Sequence, residues 1–199
     1  MVKIAVMRHA PTEWNAIGRV QGRTDIPLSE AGRLVAASWT LPADMAGFRA
    51  IASPLARTVE TARLALGVEV QTDARLIEMD WAVWEGRELP DLRAELGDLM
   101  AAWEAEGLDF RAPGGESPRD VQARLAPLLA EIAGAGQPTL AVTHKGVIRA
   151  LYALATGWDM TDKPPHKLRD DCVHLFALSP EGAPSVEALN RPLGSGEKR

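Results

Sequence analysis

Two histidines in this chain stand in the same kind of place. His9 follows residues 3–7, a short apolar run rich in β-formers, and His144 follows a second such run at 139–143. Pro11 stops the first strand from continuing, and Gly146 turns the chain after the second. Arg8 directly precedes His9. An Arg-His pair at the carboxyl end of a strand puts a cation and a titratable nucleophile where open α/β sheets bind ligands. On the dipeptide alone, a histidine that merely ends a strand is the plainer reading.

Arg57 adds to the pattern. Ser53-Pro54 is a helix-start signal, with Ser53 as N-cap and Pro54 in the first helical position. The spacing predicts a helix to about Leu66, closed by Gly67. A cation one turn into that helix opposes its dipole by about a few tenths of a kcal/mol. Either Arg57 pairs on the surface with Glu60 or Glu13, or it and the helix start face a bound anion. If the strands at 3–7, 50–53 and 139–143 are parallel neighbours, then His9, Arg57 and His144 share one rim. Two histidines and two arginines around a point suit a dianionic phosphoryl group, because Arg presents forked, charge-assisted donors. A metal is the rival for two histidines, but Arg8 and Arg57 would repel a divalent cation. No H-x-x-x-H pair or cysteine cluster accompanies them.

The elements that must position these residues are short. Ser29 caps a predicted helix with Leu34, Val35 and Trp39 among its apolar positions, ended by Pro42. Strands are expected at 48–52 and 68–71. Residues 76–86 hold two Trp and three carboxylates without periodicity and read as a loop, and 91–106 as a helix with Leu92, Leu96, Leu99 and Trp103 on one face. Ser117-Pro118 with Asp120 forms a capping signal for a further helix, which Pro127 should kink. Another helix should run from 146–147 to Thr156 and end at Gly157. A hairpin is expected from 173–178 and 185–189 through residues 180–182, and a frayed tail from Gly194. One domain over residues 1–199, with 78–117 as a cap over one end, is the simplest partition.

Composition bounds the function. The 199 residues are 46% hydrophobic and 25% charged with net charge −5 and no Lys/Arg run, which argues against nucleic acid or an anionic membrane as partner. The one cysteine, Cys172, cannot form an internal disulfide, and a reducing compartment fits. With no membrane-length apolar run and no leader pattern, a cytoplasmic location is expected. Oligomeric state is left open.

Taken in order, the motifs resemble the histidine phosphatase superfamily, the clan that includes cofactor-dependent phosphoglycerate mutase. They are Arg8-His9, Thr12-x-Trp14-Asn15, Gln21-Gly22, Asp25-x-Pro27-Leu28, Ser53-Pro54-x-x-Arg57-x-x-Glu60-Thr61-Ala62, Leu76-x-Glu78 and Trp84-Glu85-Gly86. Gly114-Gly115-Glu116-Ser117 and Thr143-His144-x-Gly146-x-Ile148-Arg149 complete the set. The resemblance implies an α/β fold, a three-layer αβα sandwich on a mostly parallel sheet. It implies that His9 is the nucleophile that becomes phosphohistidine and that Arg8, Arg57 and His144 clamp the phosphate. Glu78 matches the proton donor, with Asp80 and Glu85 as rivals. Asn15, Gln21 and Gly22 match outer contacts to the phosphoryl oxygens. Glu78 would need a raised pKa, which Met79, Trp81 and Trp84 could supply by desolvation. No metal or cofactor is implied.

The reading is therefore a metal-independent phosphoric monoester hydrolase, of the histidine acid phosphatase type, acting on a small phosphorylated substrate. The alternatives are a phosphoglycerate mutase and a phosphate-ester-binding member without chemistry. Against the mutase, 79–115 offers only Arg87, Arg93 and Arg111, with no Arg-Arg pair. Three departures from the family pattern are Ala10 and Ala82 where glycine is usual, and Asp171 where many relatives have Asn. Lys145 lines the rim or is merely solvated; His166 and His174 read as structural.

Overall fold

The alternation in the first apolar run decides how the layers assemble. In the computed structural model, which describes residues 1–195, Ile4 and Val6 pack into one core and Ala5 and Met7 into another on the opposite face. A strand with a period of two and no polar face must be covered on both sides.

The chain runs β1 (Val2–Arg8), α1 (Glu13–Ala16), α2 (Glu30–Ser38), β2 (Trp39–Thr40), β3 (Arg49–Ala52), α3 (Ala56–Leu66) and β4 (Gln71–Thr72). It continues with α4 (Leu89–Leu96), α5 (Asp98–Glu104), α6 (Pro118–Ala135), β5 (Thr139–Thr143), α7 (Lys145–Thr156), β6 (Cys172–Leu178), β7 (Pro184–Pro192) and β8 (Gly194–Ser195). Six strands form a mixed sheet in the order β4-β3-β5-β1-β6-β7, and β2 pairs separately with β8. β4, β3, β5 and β1 are parallel, while β6 and β7 add antiparallel. The face that carries Ile4 and Val6 is covered by α6 and α7, and the other by α2 and α3. This is the expected three-layer α/β sandwich. A third, smaller cluster of Trp84, Leu92, Met100 and Ala112 lies within 84–112, flanked by Trp81, Trp103 and Phe110.

Several local expectations are corrected. α3 begins at Ala56 with Leu55 at its cap, so Ser53 and Pro54 lie outside it. The Asp25 carboxylate, 31 residues upstream, accepts the Ala56 N–H at 2.8 Å and does the capping that Ser53 was expected to do. The third strand is displaced to Gln71–Thr72. The helix expected over 91–106 is two helices, α4 and α5, broken at Gly97 in a conformation only glycine adopts easily (φ +51°, ψ −124°). The break rotates the second half, so Met100 is buried and Leu99 exposed. In α2 the buried side is Gly32 and Ala36, and Leu34 and Val35 face outward. The helix ends at Ser38, before Pro42. The hairpin of β6 and β7 and the Ser117/Asp120 capping box form as expected. Gly194 and Ser195 are paired with β2 rather than frayed, and the rest of the expected tail, 196–199, lies outside the described residues. No helix among the described residues is long and apolar enough to cross a membrane.

A pair of substitutions separates the sequence pattern from the packing. Leu125, 2% exposed in α6, should cost about 2–5 kcal/mol as Leu125→Ala, because a cavity is left in the core. Leu34, 71% exposed, should cost no more than about 0.5 kcal/mol as Leu34→Ala. Equal loss of stability in urea titrations of the two variants would contradict this assignment of faces.

Candidate active site

The register of three parallel strands assembles the site. His9 leaves β1 with its N–H on the Thr143 carbonyl of β5 (3.0 Å), and Ser53 leaves β3 with its N–H on the Val142 carbonyl (3.0 Å). His144 follows β5 and is the N-cap residue of α7. The imidazoles of His9 and His144 therefore come together, with ring centroids 5.3 Å apart.

Each ring is held by one nitrogen. His9 Nδ1 lies 2.8 Å from the carbonyl oxygen of Ala10, which can only accept, so Nδ1 carries the proton and Nε2 the lone pair. The Ala10 N–H is in turn fixed on Thr61 Oγ1 of α3 (3.0 Å). His144 Nε2 lies 2.8 Å from Ser53 Oγ. The Leu55 N–H donates to that hydroxyl (3.4 Å), which leaves the hydroxyl proton for Nε2. With the hydroxyl donating to Nε2, His144 carries its proton on Nδ1, a buried atom with no partner among the described residues.

Arg57 is fully buried yet has no carboxylate in hydrogen-bond contact. Its Nη1 and Nη2 donate to the carbonyls of Thr24 (2.9 Å) and Gly22 (2.7 Å), not to Glu60 or Glu13. Arg33 takes Glu60 instead. The turn that offers these carbonyls is pinned by Glu85, whose carboxylate accepts the N–H groups of Arg23 and Thr24 (2.7 Å each) and the Thr24 hydroxyl. A side chain at Gly22 would collide with that carboxylate, so glycine is required for close approach. Gln21 is half-buried, with both carboxamide atoms buried and unpartnered. Seven buried side-chain polar atoms lack a partner among the described residues, and five belong to Arg8, Gln21, Arg57 and His144. Native interiors leave few such atoms, and their concentration on four clustered residues marks a place built for an anion. Arg8 also meets the exposed carboxylate of Asp170 at 2.6 Å. Asn15 sits further out, its Oδ1 accepting from the Thr12 N–H and hydroxyl (3.0 Å each) in the capping box of α1.

Glu78 approaches from the loop after β4. It is 6% exposed and accepts N–H groups from Met79 (2.8 Å) and Gly146 (3.2 Å), the latter in the first turn of α7. A Cβ at position 146 would come within 2.5 Å of Glu78 Oε1, so Gly146 admits the carboxylate. Arg124 of α6 ties down the short 3-10 turn leading to it, donating to the carbonyls of Arg75 (2.5 Å) and Ile77 (2.6 Å). Asp80 and Glu85 are committed elsewhere. Asp80 accepts the Ala82 N–H (2.8 Å) and pairs with Arg23 (3.3 Å). Met79 joins the α6/α7 core and Trp81 borders it, whereas Trp84 packs in the smaller cluster.

Burial pushes each titrating group toward its neutral form. Desolvation, helped by Arg8, holds the His9 pKa well below the usual 6.5, with the Ala10 carbonyl opposing. His144 is likewise held well below 6.5, by desolvation first and then by His9 and the arginines. Desolvation raises Glu78 above the ordinary carboxylate value, against its two backbone hydrogen bonds and Arg57 and Arg8. Burial thus pushes both imidazoles and the carboxyl toward their neutral forms.

Among the described residues no group of three His, Cys, Asp or Glu is placed to share a cation. A larger groove of about 460 Å³ lies at the opposite end, where β3 and β5 begin; its main cation, Arg75, is already paired with Asp73 and Glu131. Ser53, Thr61, Asp25, Arg124 and Asp170 are the contributors that motif reading missed or misassigned. Asp25 and Ser53 lie inside quoted motifs, but their partners are 31 and 91 residues away and carry no local signal.

Comparison with known proteins agrees with this geometry. The model of the histidine phosphatase superfamily (branch 1) matches residues 4–191, and the chain belongs to that family. Phosphoserine phosphatase 1 of Hydrogenobacter thermophilus is 32% identical over 167 residues, covering 81% of this chain and 79% of that protein. Glucosyl-3-phosphoglycerate phosphatase of Mycobacterium tuberculosis is 33% identical over 168 residues, covering 76% and 74%. A probable phosphoglycerate mutase of Enterobacter sp. is 32% identical over 163 residues, covering 79% and 76%. Among solved structures, a mycobacterial glucosyl-3-phosphoglycerate phosphatase complexed with VO3 superposes with a TM-score of 0.80 at 26% identity, covering 96% of this chain and all of that one.

The Ser53–His144 bond makes a spectroscopic prediction. Ser53→Ala removes the donor that keeps Nε2 an acceptor, so the ¹⁵N shifts of His144 should move from the Nδ1-protonated tautomer toward a mixture. Phosphate affinity should fall about tenfold to a hundredfold, the usual worth of a buried orienting bond. Unchanged shifts and affinity would show that another group sets the tautomer.

Proposed function

We propose that this chain hydrolyses phosphate monoesters of small metabolites through a phosphohistidine on His9, with no metal taking part. The observation that carries the reading is the His9 ring, whose Nδ1 is tied to Ala10 O and leaves the lone pair on Nε2, with the His144 ring 5.3 Å away and unpartnered buried nitrogens on Arg8, Arg57 and His144. Nε2 attacks phosphorus in line, forming the N–P bond as the ester P–O bond breaks. Arg8, Arg57 and His144 Nδ1–H take the equatorial oxygens, and Gln21 and Asn15 offer outer donors. Positioning and charge of this kind supply most of the rate in phosphoryl transfer. Glu78 gives its proton to the leaving oxygen, then takes one from the water that attacks phosphohistidine, which returns His9 and releases phosphate.

Two observations favour hydrolase over mutase. The cations between Glu78 and Glu116 are spent on local carboxylates: Arg87 on Glu95 (2.5 Å), Arg93 on Glu104 (2.6 Å) and Arg111 on Asp120 (2.7 Å). None is free to hold a substrate carboxylate over the site. Two of the relatives above carry phosphatase names, and we infer a substrate of the same kind, a small phosphorylated metabolite. Residues 78–117 act in this reading as a cap within a single domain. That role is supported by the Asp80–Arg23 and Glu116–Arg23 pairs, which fasten both its ends to the 22–24 turn.

The pKa directions support our reading of a histidine acid phosphatase type. The nucleophile must be neutral, and its pKa lies well below 6.5, so the acid limb of kcat/KM falls below 6.5. The acid must be protonated, and its pKa is raised, so the basic limb lies above the ordinary carboxylate value. Activity on alkyl phosphates should therefore persist above the ordinary carboxylate range before it declines, and Glu78→Gln should abolish that basic limb. A limb that persists in that variant would assign it to another group.

Two chemical tests address the intermediate. His9→Ala should stay folded and release no phosphate, while quenched wild type should hold acid-labile, base-stable phosphate; chelators should leave the rate unchanged. Glu78→Ala should lose about 10²–10⁴-fold on alkyl phosphates, yet still react with an activated aryl phosphate to give a burst near one equivalent and then slow turnover. Equal losses on both esters with no burst would remove Glu78 from the acid role.

A further inference from the structure

A second basic pocket adjoins the phosphoryl site. It has a volume of about 160 Å³ and is lined by Lys145, Ile148, Arg149, Lys167 and Asp170, with Arg169 and His174 at its border. At about 30 Å³ per water it holds roughly five waters, or one carboxylate with a short carbon stem. It touches the catalytic centre twice. Asp170 reaches Arg8 at 2.6 Å, and Lys145 stands between His144 and Gly146, whose N–H holds Glu78.

The cations here are not neutralised. Arg169 is paired with Asp171 (2.8 Å), and the pocket's own carboxylate, Asp170, is turned to Arg8. That leaves Lys145, Arg149 and Lys167 without an ion pair or side-chain hydrogen bond among the described residues. Arg149 is the informative one. It is half-buried at the first turns of α7 and stacks over Trp158, 5.2 Å from the ring, and its only pKa influence is the desolvation that lowers it. A desolvated guanidinium without an acceptor is costly in a ligand-free protein. In a chain of net charge −5, three uncompensated cations around one small pocket are not background.

We propose that this pocket is a second anion subsite, in which Lys145, Arg149 and Lys167 receive an anionic group on the far side of the substrate from its phosphate. The proposal rests on the phosphatase reading and narrows its substrate class to phosphate monoesters that carry a second anion, a carboxylate or a further phosphate, a few atoms away. Ile148 and Leu168 supply an apolar wall for the connecting carbons. Within 78–117, by contrast, Arg87, Arg93 and Arg111 are each paired with a carboxylate.

The test uses 3-phosphoglycerate and glycerol 3-phosphate, which share a phosphate on a three-carbon chain and differ in the carboxylate. Calorimetric titration of the His9→Ala protein removes turnover from the measurement. The acid should bind about tenfold to a hundredfold tighter, the worth of one charge-assisted hydrogen bond. Arg149→Met, and separately Lys145→Met with Lys167→Met, should shrink that ratio to about threefold or less and leave glycerol 3-phosphate unaffected. The surface pair retains the Arg149–Trp158 stack, so it keeps the test open if Arg149→Met unfolds. Lys163→Met, which removes the same charge outside the pocket, should leave the ratio intact. Replacing 3-phosphoglycerate by 2,3-bisphosphoglycerate reports whether the far anion is better a phosphate. Equal affinities for acid and alcohol, or a ratio that survives in both variants, would overturn the subsite. If wild type discriminates between the two but releases phosphate from neither, the subsite stands and the hydrolase reading falls; if neither binds, both fall.

Discussion

The constraint on which the site depends is that Arg57 is buried with carbonyl partners instead of a carboxylate. An ion pair at that position would satisfy the guanidinium and neutralise it. Two carbonyl oxygens, from Gly22 and Thr24, satisfy its terminal nitrogens and leave the charge in place. Holding a full charge in a desolvated position is unfavourable, and it is tolerated only where surrounding structure fixes it. Much of the local architecture serves that fixing. Glu85 clamps the 22–24 turn, Gly22 keeps clear of Glu85, and Asp25 caps the helix that carries Arg57. The same burial that strains Arg57 depresses both histidines and raises Glu78. One desolvated pocket therefore pushes two imidazoles and a carboxyl toward their neutral forms while the Arg57 charge stays in place.

The sheet was largely legible because its residues announce themselves locally. Residues 3–7 and 139–143 are apolar on both faces, and only a central strand of a covered sheet tolerates that. The histidines were legible for the same reason: each stands one residue past a strand whose end the pattern fixes. What local pattern could not give is the partner across space. Ser53 has the type and position of an N-cap, and Pro54 strengthens that signal, yet the hydroxyl is taken by His144 from the neighbouring strand. Tertiary hydrogen bonding overrode a propensity worth about 1 kcal/mol. The break at Gly97 is likewise hidden from the pattern. The apolar spacing of Leu92, Leu96, Leu99 and Trp103 is continuous, and only the backbone shows that the helix changes direction within it.

The contrast between the two arginines of the clamp follows from their surroundings. Arg8 also has an ionic partner, but Asp170 is half exposed (50%) and the pair lies at the rim. Exposed pairs of this kind are worth only about 0–1 kcal/mol, because solvent screens the charges and the side chains lose entropy. The Nε of Arg8, like that of Arg57, is nevertheless buried without a partner, so an anion can meet both arginines there while Asp170 stays on Nη1 of Arg8 and the carbonyls stay on the outer nitrogens of Arg57. The α3 side of the site is thus fully buried, and the Arg8 side opens on the segment before β6. That segment, 157–171, sets four Asp beside two Lys and one Arg without periodicity, and it is the part of the site that sequence pattern describes least. Connecting segments of this kind vary among homologues more readily than the elements they join. Chemistry common to the family belongs to the strand ends, and selectivity among phosphate esters belongs to the segments laid over them.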